Sequence, residues 1–161
     1  MLKPYFINCF LLTIPVLVWN MALTGELPAK YQPEIFGRNI PEFIVYGENI
    51  SRGLIFLLTF LMPLNLGTKQ QKTGFLIYVF GTALYFASWL ALIFFPKSGW
   101  STSMIGFMAP ALTPLFWLAG IARIGDSLYF GLPFRRWIFP MAALVFLIFH
   151  ITHAFLAFKN G

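Results

Sequence analysis

Residues 137–158 read WIFPMAALVFLIFHITHAFLAF and carry no formal charge between Arg136 and Lys159. A helix rises 1.5 Å per residue, so about 20 residues cover the roughly 30 Å of hydrocarbon in a bilayer. This run of 22 residues is long enough and apolar enough to cross. It therefore predicts a membrane-spanning helix.

Three further uncharged runs of 22 to 25 residues meet the same requirement, and a fourth, 53–68, falls short. We extend the short run upstream because Glu48 and Arg52 are four residues apart, where opposite charges pair on one helix face. Since backbone polar groups cannot stay unpaired in lipid, each span must be helical. The sequence predicts an all-α, five-helix transmembrane bundle in one domain, with helices over 4–23, 47–66, 74–95, 104–124 and 137–158.

Composition places the 161-residue chain in the membrane class. Its hydrophobic fraction is 59% and its charged fraction 10%, against roughly 45–50% and 25% in soluble domains. A soluble protein of this size has too much surface to hide that apolar content. The 11 Lys and Arg are scattered between apolar runs and form no basic stripe. We therefore expect the lipid bilayer as a partner and no nucleic acid.

The start of the chain and its loops bear on orientation. The first apolar run is longer than that of a signal peptide and no Ala-x-Ala site follows Leu23, so we expect a retained helix. The two sides of the bundle carry six and five Lys or Arg, a small bias under the positive-inside rule. We expect a cytoplasmic N-terminus, which places Arg135 and Arg136 inside, in a cell membrane of the bacterial cytoplasmic (inner) type.

The polar residues of the spans collect on the side of the long loop 24–46. Intramembrane polar groups are costly and face a bundle interior or a wet cavity, so we predict a polar pocket beneath this loop. Plainer roles stay open: an ion pair anchoring a helix end, an interhelical hydrogen bond, or an aromatic belt. The predicted ligand-binding residues are Asn20, Glu48, Asn49, Arg52, Trp89, Trp100, Ser101, Ser103, His150 and His153.

His150 and His153 are the candidate catalytic residues. Three residues apart, they lie on nearly the same helix face, and they are the only histidines in the chain. They could act as a proton relay or general base, or as a hydrogen-bonded lock between helices. A zinc or iron site would need further ligands, so we predict no metal site and leave the cofactor unknown.

Two helices carry packing signals. Ala83, Ala87 and Ala91 form a small-residue face on the third helix, which would let a neighbour approach closely and which could join two copies of the chain. In the fourth helix, Pro110 and Pro114 remove two backbone donors. They predict either a static kink or a hinge whose loosened backbone lines a cavity.

Five helices in about 160 residues, tryptophan richness and a long first loop resemble, in architecture, the tryptophan-rich sensory protein/translocator family of porphyrin and sterol binders. The Trp-Pro and Asn-Pro dipeptides typical of that family are missing, so we assign no family and carry over no functional residue.

Three functions are open at this point. The first is binding or carriage of a small amphipathic or lipid-like ligand in the polar pocket. The second is a membrane-embedded enzyme on a lipid-like substrate, with a histidine as base and Arg52 on an anionic headgroup. The third is a structural subunit of a larger membrane complex. The chain has no GxSxG, HExxH or glycine-rich phosphate loop, which argues against a protease, kinase or ATPase.

Overall fold

The computed structural model describes residues 6–160, which contain helices and no strand. Five of its helical segments are long and apolar enough to cross a membrane, which confirms the predicted all-α bundle. The predicted start of the first helix at residue 4 lies outside the described residues. The segments, called the first to fifth spans, are Cys9–Glu26, Glu42–Leu61, Lys69–Phe94, Met104–Ile124 and Ile138–Asn160. Short helices between them are Ala29–Tyr31, Pro33–Phe36, Gly99–Thr102 and Tyr129–Gly131.

The second span was predicted five residues too late in the chain. It begins at Glu42, directly after Pro41, and ends at Leu61. Met62 turns to an extended conformation because the residue before a proline, here Pro63, avoids the helical region. Residues 42–46, predicted as the end of the long loop, therefore form the start of this span.

The third span also starts earlier than the predicted residue 74. Thr68 and Gln71 form a capping box in which each side chain bonds the other's backbone amide. This box satisfies amide groups that a helix start leaves open, so the helix begins at Lys69. Residues 69–73, which lie before the predicted start, therefore form its first turn.

The first and fourth spans are interrupted helices. The first consists of a 3-10 turn, Cys9–Leu12, an α-helix, Ile14–Leu23, and a second 3-10 turn, Thr24–Glu26. The fourth consists of Met104–Leu112 and Pro114–Ile124. Proline cannot donate a helical hydrogen bond, which accounts for the predicted break in the fourth span.

The tightest packing joins the third span to the second half of the fourth. A Cβ atom at Gly81 would lie 2.4 Å from the Trp117 backbone nitrogen, and one at Gly120 would lie 2.4 Å from that of Tyr78. Only glycine permits helices this close. The alanine face predicted for close approach plays no such part within the chain, since Ala83 and Ala87 are exposed.

The second span packs along the fifth, which also supports the first half of the fourth. The first span is held more loosely: 22% of it is buried, against 56% of the fourth. Its main ring contact is Trp19 stacked on Phe86, with centroids 4.0 Å apart. Space is left between the first span and the other four, and the candidate site lies there.

Candidate functional site

One carboxylate on the second span gathers three basic side chains. Glu48 pairs with Arg52 one turn later, which confirms the predicted ion pair. Its Oε1 also lies 2.9 Å from His150 Nδ1, and its Oε2 lies 2.6 Å from His153 Nδ1. The Glu48 side chain is only 7% exposed. These four residues are called the Glu48 cluster below.

Helix periodicity brings the cluster together. Glu48 and Arg52, at i and i+4, share one face of the second span. His150 and His153, at i and i+3, share the facing side of the fifth span. The two helices approach closely here because Gly47 leaves room for the ring of Phe149.

The geometry fixes how each imidazole is used. An ionised carboxylate can only accept hydrogen bonds, so Nδ1 of each histidine donates to Glu48. The opposite nitrogen, Nε2, then points away from the carboxylate. His153 Nε2 is buried and has no hydrogen-bond partner among residues 6–160.

The loop after the first span folds over the cluster as an aromatic cover. Tyr31 stacks on Phe107, with centroids 4.5 Å apart, and its hydroxyl donates to the Phe107 carbonyl over 2.9 Å. Phe36 lies against His153, with ring centroids 5.0 Å apart. Burial raises the pKa of the Tyr31 phenol, which keeps it a neutral donor.

Three adjoining cavities meet at His150, which lines all of them. The first, about 180 Å³, also touches Tyr31 and Trp89 beneath the loop. The second, about 380 Å³, lies between the first span and the other four. The third, about 340 Å³, lies beside the Glu48 cluster and the loop. Ligand sites typically occupy about 300–1,000 Å³, so the two larger cavities are each of ligand size.

The second cavity has a polar end and an apolar end. It reaches from Thr13 to Asn20 along the first span, a rise of roughly 10 Å at 1.5 Å per residue. The end nearer the loop carries Arg52 and His150, and Phe146 stacks on His150 at 5.0 Å. The apolar walls are Val16, Leu17, Ile55, Phe56, Pro114 and Trp117.

Most of the predicted site residues surround these cavities. Asn20 lines two of them and accepts a 2.5 Å hydrogen bond from Tyr85. Trp89 lines the first cavity, and Asn49 stands at the exposed rim of the third. Both prolines of the fourth span line cavities, as the hinge interpretation expects.

Three predicted residues at the start of the fourth span are not brought to the site. Trp100 is half exposed and touches none of the three cavities. Ser101 donates to the Ala91 carbonyl, and Ser103 caps the fourth span by accepting from the Gly106 amide. A serine hydroxyl before a helix satisfies its free amides, which is the use of Ser103, whereas Ser101 bonds a carbonyl of the third span.

Sequence reasoning missed several residues of the cavity walls. Tyr31 and Phe36 belong to an irregular loop, where no periodic sequence pattern indicates which way a side chain points. Tyr85 lies one helical turn before Trp89, so its place on the same face could have been inferred. Trp117 sits opposite Gly81, and only the packing of the two helices turns it towards the second cavity.

The arrangement can hold an elongated molecule and meet its polar end with hydrogen bonds. Arg52 and the Asn20 amide supply donors, and each imidazole supplies a nitrogen that can accept or release a proton. Comparison with protein-family models, with curated proteins and with solved structures found no match. Functional inference therefore rests on this geometry.

Proposed function

We propose that this membrane protein binds or carries a small amphipathic or lipid-like molecule in the cavities that meet at His150. The observation that carries the proposal is the second cavity, which is of ligand size, polar towards the loop and apolar towards Thr13. An amphipathic molecule matches both ends of this cavity, because its apolar chain would contact the apolar walls and its polar head would hydrogen-bond at the polar end. The loop side chains Tyr31 and Phe36 cover the polar end.

Mass spectrometry of what co-purifies with the protein in native lipid discs tests this proposal. We expect one class of molecule to be enriched over the bulk lipid of the same discs. Val16→Trp fills the second cavity from a buried wall position and should abolish the enrichment. Val18→Trp is the matched control, since Val18 is 58% exposed on the same helix. No enrichment, or equal enrichment in both variants, contradicts the proposal.

A second candidate function is an enzyme acting on the same kind of molecule. Both imidazoles are bound to Glu48 through Nδ1, and neither hydrogen-bonds a backbone carbonyl of residues 6–160, which is the arrangement of an oriented general base. In that case Arg52 holds an anionic headgroup and His150 removes a proton from the substrate. His150→Gln should then still bind the enriched molecule and accumulate it unchanged. Identical bound molecules in wild type and variant favour the binding protein.

The finer localisation belongs with these proposals. We infer a bacterial cytoplasmic membrane with the N-terminus inside. Exposed Arg135 and Arg136 would then face the cytoplasm, and the covering loop would face outward. Labelling of single cysteines placed at residues 2 and 160 in the Cys9→Ser background should reach them from opposite sides. Accessibility from the same side contradicts the topology.

A further inference from the structure

The Glu48 cluster contains more basic groups than acidic ones. With both imidazoles neutral, the charges of Arg52 and Glu48 cancel. With both protonated, the cluster carries two positive charges in excess. The imidazoles are largely withdrawn from solvent, with side chains 25% and 13% exposed. Because an unmatched charge in such a place is costly, the protonated state requires an anion.

No other side chain among residues 6–160 supplies that anion. The remaining acids, Glu26, Glu34, Glu42 and Asp126, are exposed, and none forms an ion pair with the cluster. The other titratable groups that face the site are two phenols. Tyr31 from the loop donates to a carbonyl, and Tyr85 from the third span donates to Asn20. Both are neutral donors and leave the positive charge unmatched.

Protonation also creates donors that have no acceptor. Each imidazole already uses Nδ1 on Glu48, so an added proton goes to Nε2. His153 Nε2 has no partner in the described chain. His150, which lines all three cavities, presents its Nε2 side away from Glu48. An anionic oxygen in the second cavity would accept from His150 Nε2 and match its positive charge.

We propose that the occupant is an anionic amphiphile, an apolar chain with a carboxylate, phosphate or sulfonate-like headgroup, and that it binds together with protons on His150 and His153. This inference rests on the proposed binding function and specifies its ligand. The headgroup lies between Arg52, Asn20 and His150, with His153 on the other oxygen of Glu48, and the chain runs along Val16 and Phe56 towards Thr13. The headgroup charge offsets that of the added protons, one proton for a sulfonate or carboxylate and two for a phosphate dianion, so protons and anion enter together.

The test uses a bromine-labelled dodecanesulfonate, whose charge is constant over the pH range of imidazole titration. Its binding to the protein in discs of zwitterionic lipid is read from quenching of tryptophan fluorescence, because Trp117 lines the second cavity. The part of the quenching that is lost in Trp117→Phe measures probe in the cavity. Quenching of the exposed Trp100 and Trp137 measures probe in the surrounding lipid. The matched neutral probe is bromododecanol.

We expect the sulfonate to bind at least about tenfold more tightly near pH 5.5 than near pH 8, since the proposal couples its binding to proton uptake and imidazole is the side chain that serves as a proton switch in this range. Bromododecanol should bind without this pH dependence. In His150→Gln/His153→Gln, sulfonate binding should lose the pH dependence. If that double variant does not fold, His150→Gln alone should reduce the tenfold difference in sulfonate affinity between the two pH values, because one imidazole fewer takes up a proton on binding.

Each contrary result is distinct. Cavity binding by both probes with no effect of pH overturns the anion proposal and leaves the binding function standing. Equal competition by methanesulfonate, which has no chain, also overturns it, because the site would then take a soluble anion. Val16→Trp distinguishes failure of the anion proposal from failure of the proposed function. If it leaves all probe binding unchanged, the probes bind outside the cavity and the proposed function itself fails.

Discussion

The third and fourth spans pack tightly against each other, whereas the first span packs loosely against the other four. In the pair, Gly81 and Gly120 bring two helices into backbone contact and leave no space between them. Around the first span, contact is made by large rings such as Trp19 on Phe86, and a cavity of about 380 Å³ remains. Small side chains close a helix interface, whereas rings at few points hold it open. The comparison separates a rigid scaffold from a region shaped for an occupant.

The largest expected effect lies in the scaffold. Gly120→Ala places a methyl group 2.4 Å from the Tyr78 nitrogen, so the two helices must separate. We expect a loss of about 3 kcal/mol or no folded protein at all. Thermal unfolding in detergent, followed by size-exclusion chromatography, measures it. Gly53→Ala is the control, because nothing lies within 4 Å of its added atom. Equal stability of the two variants would refute the close contact.

The next effect lies in the Glu48 cluster. His150→Phe/His153→Phe leaves a buried carboxylate with Arg52 as its remaining partner and removes two hydrogen bonds to that charged group. We expect a clear drop in unfolding temperature. Adding Glu48→Gln should restore most of it, because removing the stranded charge removes its penalty. No loss in the double variant, or no recovery in the triple, would show that the carboxylate is not held as described.

How much the sequence predicts differs between the two regions. Charge-free runs predict the five spans, and i, i+4 and i, i+3 spacing predict the two halves of the Glu48 cluster. That His150 and His153 meet Glu48 depends on the packing of the second span along the fifth, which spacing within one helix cannot reveal. The sequence pattern predicts the alanine face as the close interface, yet Gly81 and Gly120 form it, because close contact also depends on the side chains of the partner helix.

A smaller effect is expected in the loop that covers the site. Tyr31→Phe keeps the stacking on Phe107 and removes one hydrogen bond, which should cost about 1 kcal/mol. Because burial raises the pKa of the phenol, its contribution is present below the ordinary phenol pKa of about 10 and is lost as pH rises towards the folded value. Unfolding scans between neutral and strongly alkaline pH should therefore show a steeper decline in wild type than in the variant. Parallel declines would contradict the buried phenol.

The smallest effect is expected at Arg52. Its side chain is 41% exposed, so the loss of its pair with Glu48 is largely offset by solvent. Arg52→Gln should change stability by less than about 1 kcal/mol. The same variant should weaken binding of the anionic probe far more than that of the neutral one. A large stability loss with unchanged probe binding would make Arg52 a structural residue.

The central claim is that the space beside the first span holds a molecule. The most direct test is cryo-electron microscopy of the protein in native lipid discs, with a rigid antibody fragment bound to add mass. The account predicts elongated density between Val16 and Trp117, with its wider end against Arg52 and His150. A first span closed against Trp117, with no room for density, would contradict it.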